Sequence, residues 1–183
     1  HPSMRIALGI EYDGSCFHGW QSQRNSLGVQ SVVEHALGRV ANHSVSVVCA
    51  GRTDTGVHAS GQVVHFDTHA HRDNYSWILG TNSYLPKHVA VLWARQVSES
   101  FHARFSATER SYRYIIQNRL GRAAIGASHV TWWYKPLYVE RMQAAAGYLL
   151  GEHDFSSFRA AECQAKTAVR TLHSLKIWRS GEF

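Results

Sequence analysis

Ile6-Ala7-Leu8-Gly9-Ile10-Glu11-Tyr12 alternates with a period of two. Ile6, Leu8, Ile10 and Tyr12 fall on one face, and Arg5, Ala7, Gly9 and Glu11 on the other. That period belongs to a pleated strand, and a single apolar face predicts a half-buried one over residues 4–12, stopped by Asp13-Gly14. His1-Pro2-Ser3 before Met4 reads as a cloning remnant and is kept out of the fold reading.

Working outward, the period changes at Val29. Val29, Val32, Val33, Ala36, Leu37 and Val40 recur at helical spacing, with Asn42 as the stop. Val45 to Ala50 and Val63 to Phe66 are short β-branched runs and predict strands. Asp73 is placed to cap a helix carrying Trp77, Ile78 and Leu79, which must close before Pro86. Val89 to Val97 reads as a buried strand. The pattern then begins again: a strand over Arg110 to Gln117, a helix over Val139 to Leu150 and a strand over Val169 to Trp178. The expected fold class is α+β, two related α/β lobes around a shared sheet, with residues 4–100 as the first lobe and 101–183 as the second.

Composition narrows the function. The longest apolar run is the six residues Val89 to Ala94, far short of the ~20 that a membrane-spanning helix needs. No apolar segment follows a charged N-terminus, which makes the cytoplasm the expected compartment. Cys16, Cys49 and Cys163 are odd in number and lack a C-x-x-C pair, so reduced and mostly buried thiols are expected. The net charge is +6, and it is unevenly placed: seven basic residues face six acidic ones over 4–97, but twelve face seven over 98–183. With six Trp, eight Tyr and seven Phe among those cations, the balance points to a nucleic-acid partner held by phosphate contacts and base stacking. Affinity for it should fall steeply with salt.

The chemistry concentrates in Ala50-Gly51-Arg52-Thr53-Asp54-Thr55-Gly56-Val57-His58. Gly51 and Gly56 permit unusual backbone angles and close approach of a ligand. In extended backbone Arg52 and Asp54 share a side, and a guanidinium beside a carboxylate keeps it ionised, fit to act as nucleophile or general base. Spacing alone favours an ordinary turn with an Asp-based backbone hydrogen bond and a surface salt bridge, since such loops are abundant. His65, His69 and His71 around Asp67 lack the spacing of known zinc sites and read as a surface cluster. No G-x-S-x-G elbow supports a Ser-His-Asp triad. A second aromatic and basic cluster, Phe101-His102-Ala103-Arg104-Phe105 and Arg110-Ser111-Tyr112-Arg113-Tyr114, offers Tyr112 as a stacking ring and Arg104 and Arg110 as phosphate contacts, with Tyr114 read as a core aromatic.

Five segments in order complete the picture: Tyr12-Asp13-Gly14-Ser15 with Phe17 and Gly19-Trp20-Gln21; Ala50 to His58; Phe101 to Phe105; Tyr112-Arg113-Tyr114; and Gly151-Glu152-His153-Asp154-Phe155-Ser156-Ser157-Phe158. Together they resemble the bacterial tRNA pseudouridine synthase A family, from Met4 to the last residue. The resemblance implies isomerisation of uridine to pseudouridine at positions 38 to 40 of the tRNA anticodon stem-loop, with no cofactor and no metal. It implies that Asp54 is the essential carboxylate, Arg52 its partner and Tyr112 the ring on the target base. Gly51, Thr53, Gly56, His58, Arg104 and Arg110 complete the expected substrate site. It further implies a largely antiparallel central sheet, a cleft between the lobes, and a homodimer. The family's pattern continues past Phe183 into further strand and helix, including a Val-Arg pair whose arginine lines the site. The second lobe is therefore expected to be incomplete, with a non-catalytic tRNA-binding fragment as the alternative function.

Overall fold

In a computed structural model, which describes residues 2–159 and 165–183, the strand expected over residues 4–12 is β1 (Met4–Tyr12). It lies inside a four-stranded sheet with β2 (Val48–Cys49), β3 (Ala59–Thr68) and β4 (Val89–Val97), in the order β2-β3-β1-β4 and antiparallel throughout. Leu8 pairs with Val64 on one side and Ala94 on the other, which aligns the apolar positions of three strands on one face.

Against that face lies α1 (Val29–Ala41), with Val29, Val33, Ala36, Leu37 and Ala41 buried along one stripe. Asn42 ends it in the left-handed conformation, φ 58°, which the short polar side chain of Asn tolerates. Asp73 Oδ1 accepts from the Ser76 N–H at 2.7 Å, capping the second helical segment. This segment passes through a π-helical turn (Ser76–Gly80) into α2 (Thr81–Tyr84) and ends at Leu85, before Pro86. Trp77 projects from it into the core and meets Phe66 edge-on at 5.1 Å between centroids.

The opposite face of β1 differs from the expectation of a solvated side: Ala7 and Gly9 are buried as well. The Trp93 indole occupies the space where a Gly9 side chain would be, since a Cβ there would sit 1.9 Å from Trp93 Nε1. Arg5 pairs with Asp67 at 2.9 Å and donates to the carbonyls of Glu99 and Phe101, binding the chain after β4 to this face. His65 is buried beneath it, with Nδ1 accepting the Ala103 N–H at 2.9 Å. Only His69 and His71 of the expected surface histidines are exposed.

The chain divides into two compact units, residues 1–112 and 113–183. The sequence placed the first boundary near residue 100; the segment from Phe101 to Arg110 packs with the first unit through His65 and Ala50. The second unit holds a short parallel pair, β5 (Ile116–Asn118) with β6 (Thr131–Trp133), then α3 (Val139–Ala146) and the antiparallel pair β7 (Gly151–Asp154) and β8 (Val169–Leu172). The strand expected over Arg110 to Gln117 is reduced to Ile116–Asn118, and the one over Val169 to Trp178 to its first four residues. Tyr114 is not a core aromatic: it is 74% exposed, and its hydroxyl accepts from Thr131 Oγ1 at 2.6 Å. Of the thiols expected to be mostly buried, Cys49 is buried and Cys16 exposed; Cys163 lies outside the described residues.

Candidate active site

The loop between β2 and β3 is fastened at almost every residue. Ala50 N–H donates to Val63 O at 2.8 Å where the loop leaves the sheet. The Ala50 carbonyl accepts from the Arg110 guanidinium, through Nε at 3.0 Å and through Nη2. Gln62 Nε2 donates to the Gly51 carbonyl at 2.6 Å. Thr53 is held twice: Trp20 N–H donates to its carbonyl at 2.9 Å, and its hydroxyl meets the Tyr12 hydroxyl at 2.7 Å. The Val57 N–H returns to Asp54 O at 3.1 Å, closing a turn through Gly56, whose φ of 81° favours glycine. His58 ends the loop, its Nδ1 accepting the Gly14 N–H at 3.0 Å and lying 3.1 Å from Asp13 Oδ1.

Asp54 therefore stands exposed in a turn whose two flanks are anchored to the sheet. Such an arrangement presents a carboxylate to solvent or ligand while its backbone is fixed, the geometric precondition for positioning a reacting group.

The cations expected at the site gather around the same loop. Burial pushes the Cys49 thiol up, and Arg52, a backbone hydrogen bond, Arg104 and Arg110 oppose that rise. Arg104 also lies over the exposed Phe105 ring, 5.7 Å from its centroid. Arg110 closes on Gly51 as well: a Cβ there would come 2.8 Å from its Nε. Gly51 and Arg110, both expected to touch substrate, thus touch each other.

Tyr112 is 76% exposed, and it adds a small upward push to the Tyr12 phenol, which burial chiefly raises. Within the first unit the fold collects Asp54, Arg52, Thr53, Gly51, Gly56, His58, Arg104, Arg110 and Tyr112 on one loop and the segment packed beside it.

The sequence gives no place in the site to Tyr12, Trp20, Gln62 or Gly14, which supply most of the fastenings. Gln62 carried a legible signal, a polar residue on the buried face of a strand otherwise apolar at Val64 and Phe66.

A family model described as tRNA pseudouridine synthase matches residues 9–106 and 145–183. The chain belongs to the tRNA pseudouridine synthase family. Among its relatives, the tRNA pseudouridine synthase A of Nitrosococcus oceani is 57% identical over 180 residues, covering 98% of this chain and 70% of that protein. The protein of the same name from Coxiella burnetii is 57% identical over 175 residues, covering 96% and 67%. That of Alcanivorax borkumensis is 55% identical over 179 residues, covering 97% and 67%.

Proposed function

We propose that the chain isomerises uridine to pseudouridine in tRNA, with Asp54 as the essential carboxylate. The observation that carries this reading is the exposed Asp54 in a turn fastened on both flanks.

In this reading the target uridine leaves the helical stack, which costs a few kcal/mol, and the Tyr112 face returns about 1–3 kcal/mol by stacking. The N1–C1′ glycosidic bond breaks, the uracil turns while captive, and C5 joins C1′, after which C5 gives up its hydrogen as a proton and N1 takes one up. Ionised Asp54 either attacks the ribose C1′ or removes the C2′ proton to give a glycal; attack at uracil C6 is a third route. Arg52, two residues earlier in the same loop, is the assigned partner of that carboxylate. Gly51, Thr53, Gly56 and His58 shape the loop that meets the nucleotide, and Arg104 and Arg110 face phosphate.

The proposal extends to positions 38 to 40 of the anticodon stem-loop and to action as a cytoplasmic homodimer. These finer points rest on the family resemblance. No helix among the described residues is long and apolar enough to cross a membrane.

The test is tritium release from tRNA labelled at uridine C5. Asp54→Ala should abolish release while tRNA binding persists. Activity in that variant within about tenfold of the unmodified chain, equivalent to about 1.4 kcal/mol of barrier, would exclude the assigned role.

A further inference from the structure

We propose that Tyr12 and Gln62 are positioning residues, a buried brace that fixes the loop on both sides of Arg52 and so aims Asp54. This deepens the reading above and rests on it.

Gln62 is a nearly buried polar side chain in a strand whose neighbours on that face, Val64 and Phe66, are apolar. A primary amide in such a place is costly unless its hydrogens are taken up. Both of them are: Nε2 donates to the Gly51 carbonyl at 2.6 Å and to the Tyr12 hydroxyl at 3.4 Å.

Tyr12, at the end of β1, is buried too, and burial raises its phenol above the usual tyrosine range, so it remains a donor at neutral pH. The same hydroxyl that accepts from Gln62 shares a hydrogen bond with Thr53 Oγ1 at 2.7 Å. The register between β1 and β3 shifts between Ile10 and Tyr12, so that Ile10 faces Gln62 but Tyr12 faces Ala59. Such an irregularity re-aims side chains at a strand end.

Packing alone would be served by Phe at 12 and Met at 62. The hydroxyl and the amide are spent on the loop, at residues 51 and 53. The next residue is Asp54, and a displacement of about 1 Å at a reacting group can cost on the order of a hundredfold in rate.

Single-turnover tritium release and tRNA affinity, measured separately, test the brace. Tyr12→Phe should lower the rate of release about tenfold or more, with tRNA affinity changed by less than about twofold. Thr53→Val should do the same, and the double variant should be no slower than either single one. Additive losses, or an undiminished rate in Tyr12→Phe, would overturn the inference.

Hydrogen exchange gives a readout independent of turnover. The Trp20 and Val57 amides, which donate to Thr53 and Asp54, should exchange faster in both Tyr12→Phe and Gln62→Met, while the Ala50 amide stays protected. Unaltered exchange at Trp20 and Val57 would also overturn the brace. Absence of tritium release from the unmodified chain would instead bring down the proposed function, and exchange would still decide whether the brace holds the loop.

Discussion

Gly14 and Val57 meet backbone to backbone. A Cβ added at Gly14 would fall 2.0 Å from the Val57 carbonyl oxygen, and neither partner has a flexible side chain that could swing aside. The contact joins the turn after β1 to the far flank of the Asp54 loop, where the Gly14 N–H also donates to His58.

Gly14→Ala should therefore destabilise the chain by about 2 kcal/mol or more, since relief requires the backbone itself to move. Urea unfolding checks this; a midpoint equal to that of the unmodified chain would show that the loop yields there at no cost.

Arg110 and Gly51 predict a different balance. Arg110 is exposed, so Arg110→Ala should cost only about 1 kcal/mol in stability. It removes both guanidinium hydrogen bonds to Ala50, and tritium release should fall by about tenfold or more. Gly51→Ala would push the guanidinium aside, and the two substitutions combined should lose less than the sum of their separate effects.

His65 makes stability depend on pH. Burial, with Arg5 and His102 as smaller contributors, lowers its pKa, while Asp67 opposes the shift. Phe101 meets the ring edge-on and the Ala103 N–H donates to Nδ1, a bond that only an unprotonated nitrogen accepts. The unfolded chain takes up a proton near pH 6.5, whereas the folded chain resists until the pH is lower. The contribution is thus complete above about pH 6.5 and lost as pH falls below it, at no more than about 1.4 kcal/mol per pH unit. Chemical denaturation at pH 7.5 and pH 5 should show this loss in the unmodified chain and a smaller one in His65→Gln.

The first unit was legible where one local rule acted alone. The alternation of Ile6, Leu8, Ile10 and Tyr12, the helical stripe from Val29 ended by Asn42, and the Asp73 cap all appear where their periods and termini place them. Reading failed where a distant partner intervened. Ala7 and Gly9 looked solvated because no local pattern announces that Trp93 and the chain near Ala103 cover them; their small size was the available clue. The alternation from Arg110 to Gln117 suggested a strand, but Arg110 is drawn to Ala50, and regular pairing begins only at Ile116. At the site, the motif named the loop and its carboxylate. Apart from Gln62, the supports could not be read, because Tyr12, Trp20 and Arg110 reach it from separate stretches of chain.

Those scattered supports set an order of events during synthesis. Tyr12 and Trp20 leave the ribosome before Ala50 does, Gln62 follows soon after, and the guanidinium that seals the loop's entrance comes 60 residues behind Ala50. A nascent chain halted just after β4 would display the aspartate on a loop with its latch missing, and the working shape would arrive only when the segment beyond Phe101 folds back over the sheet.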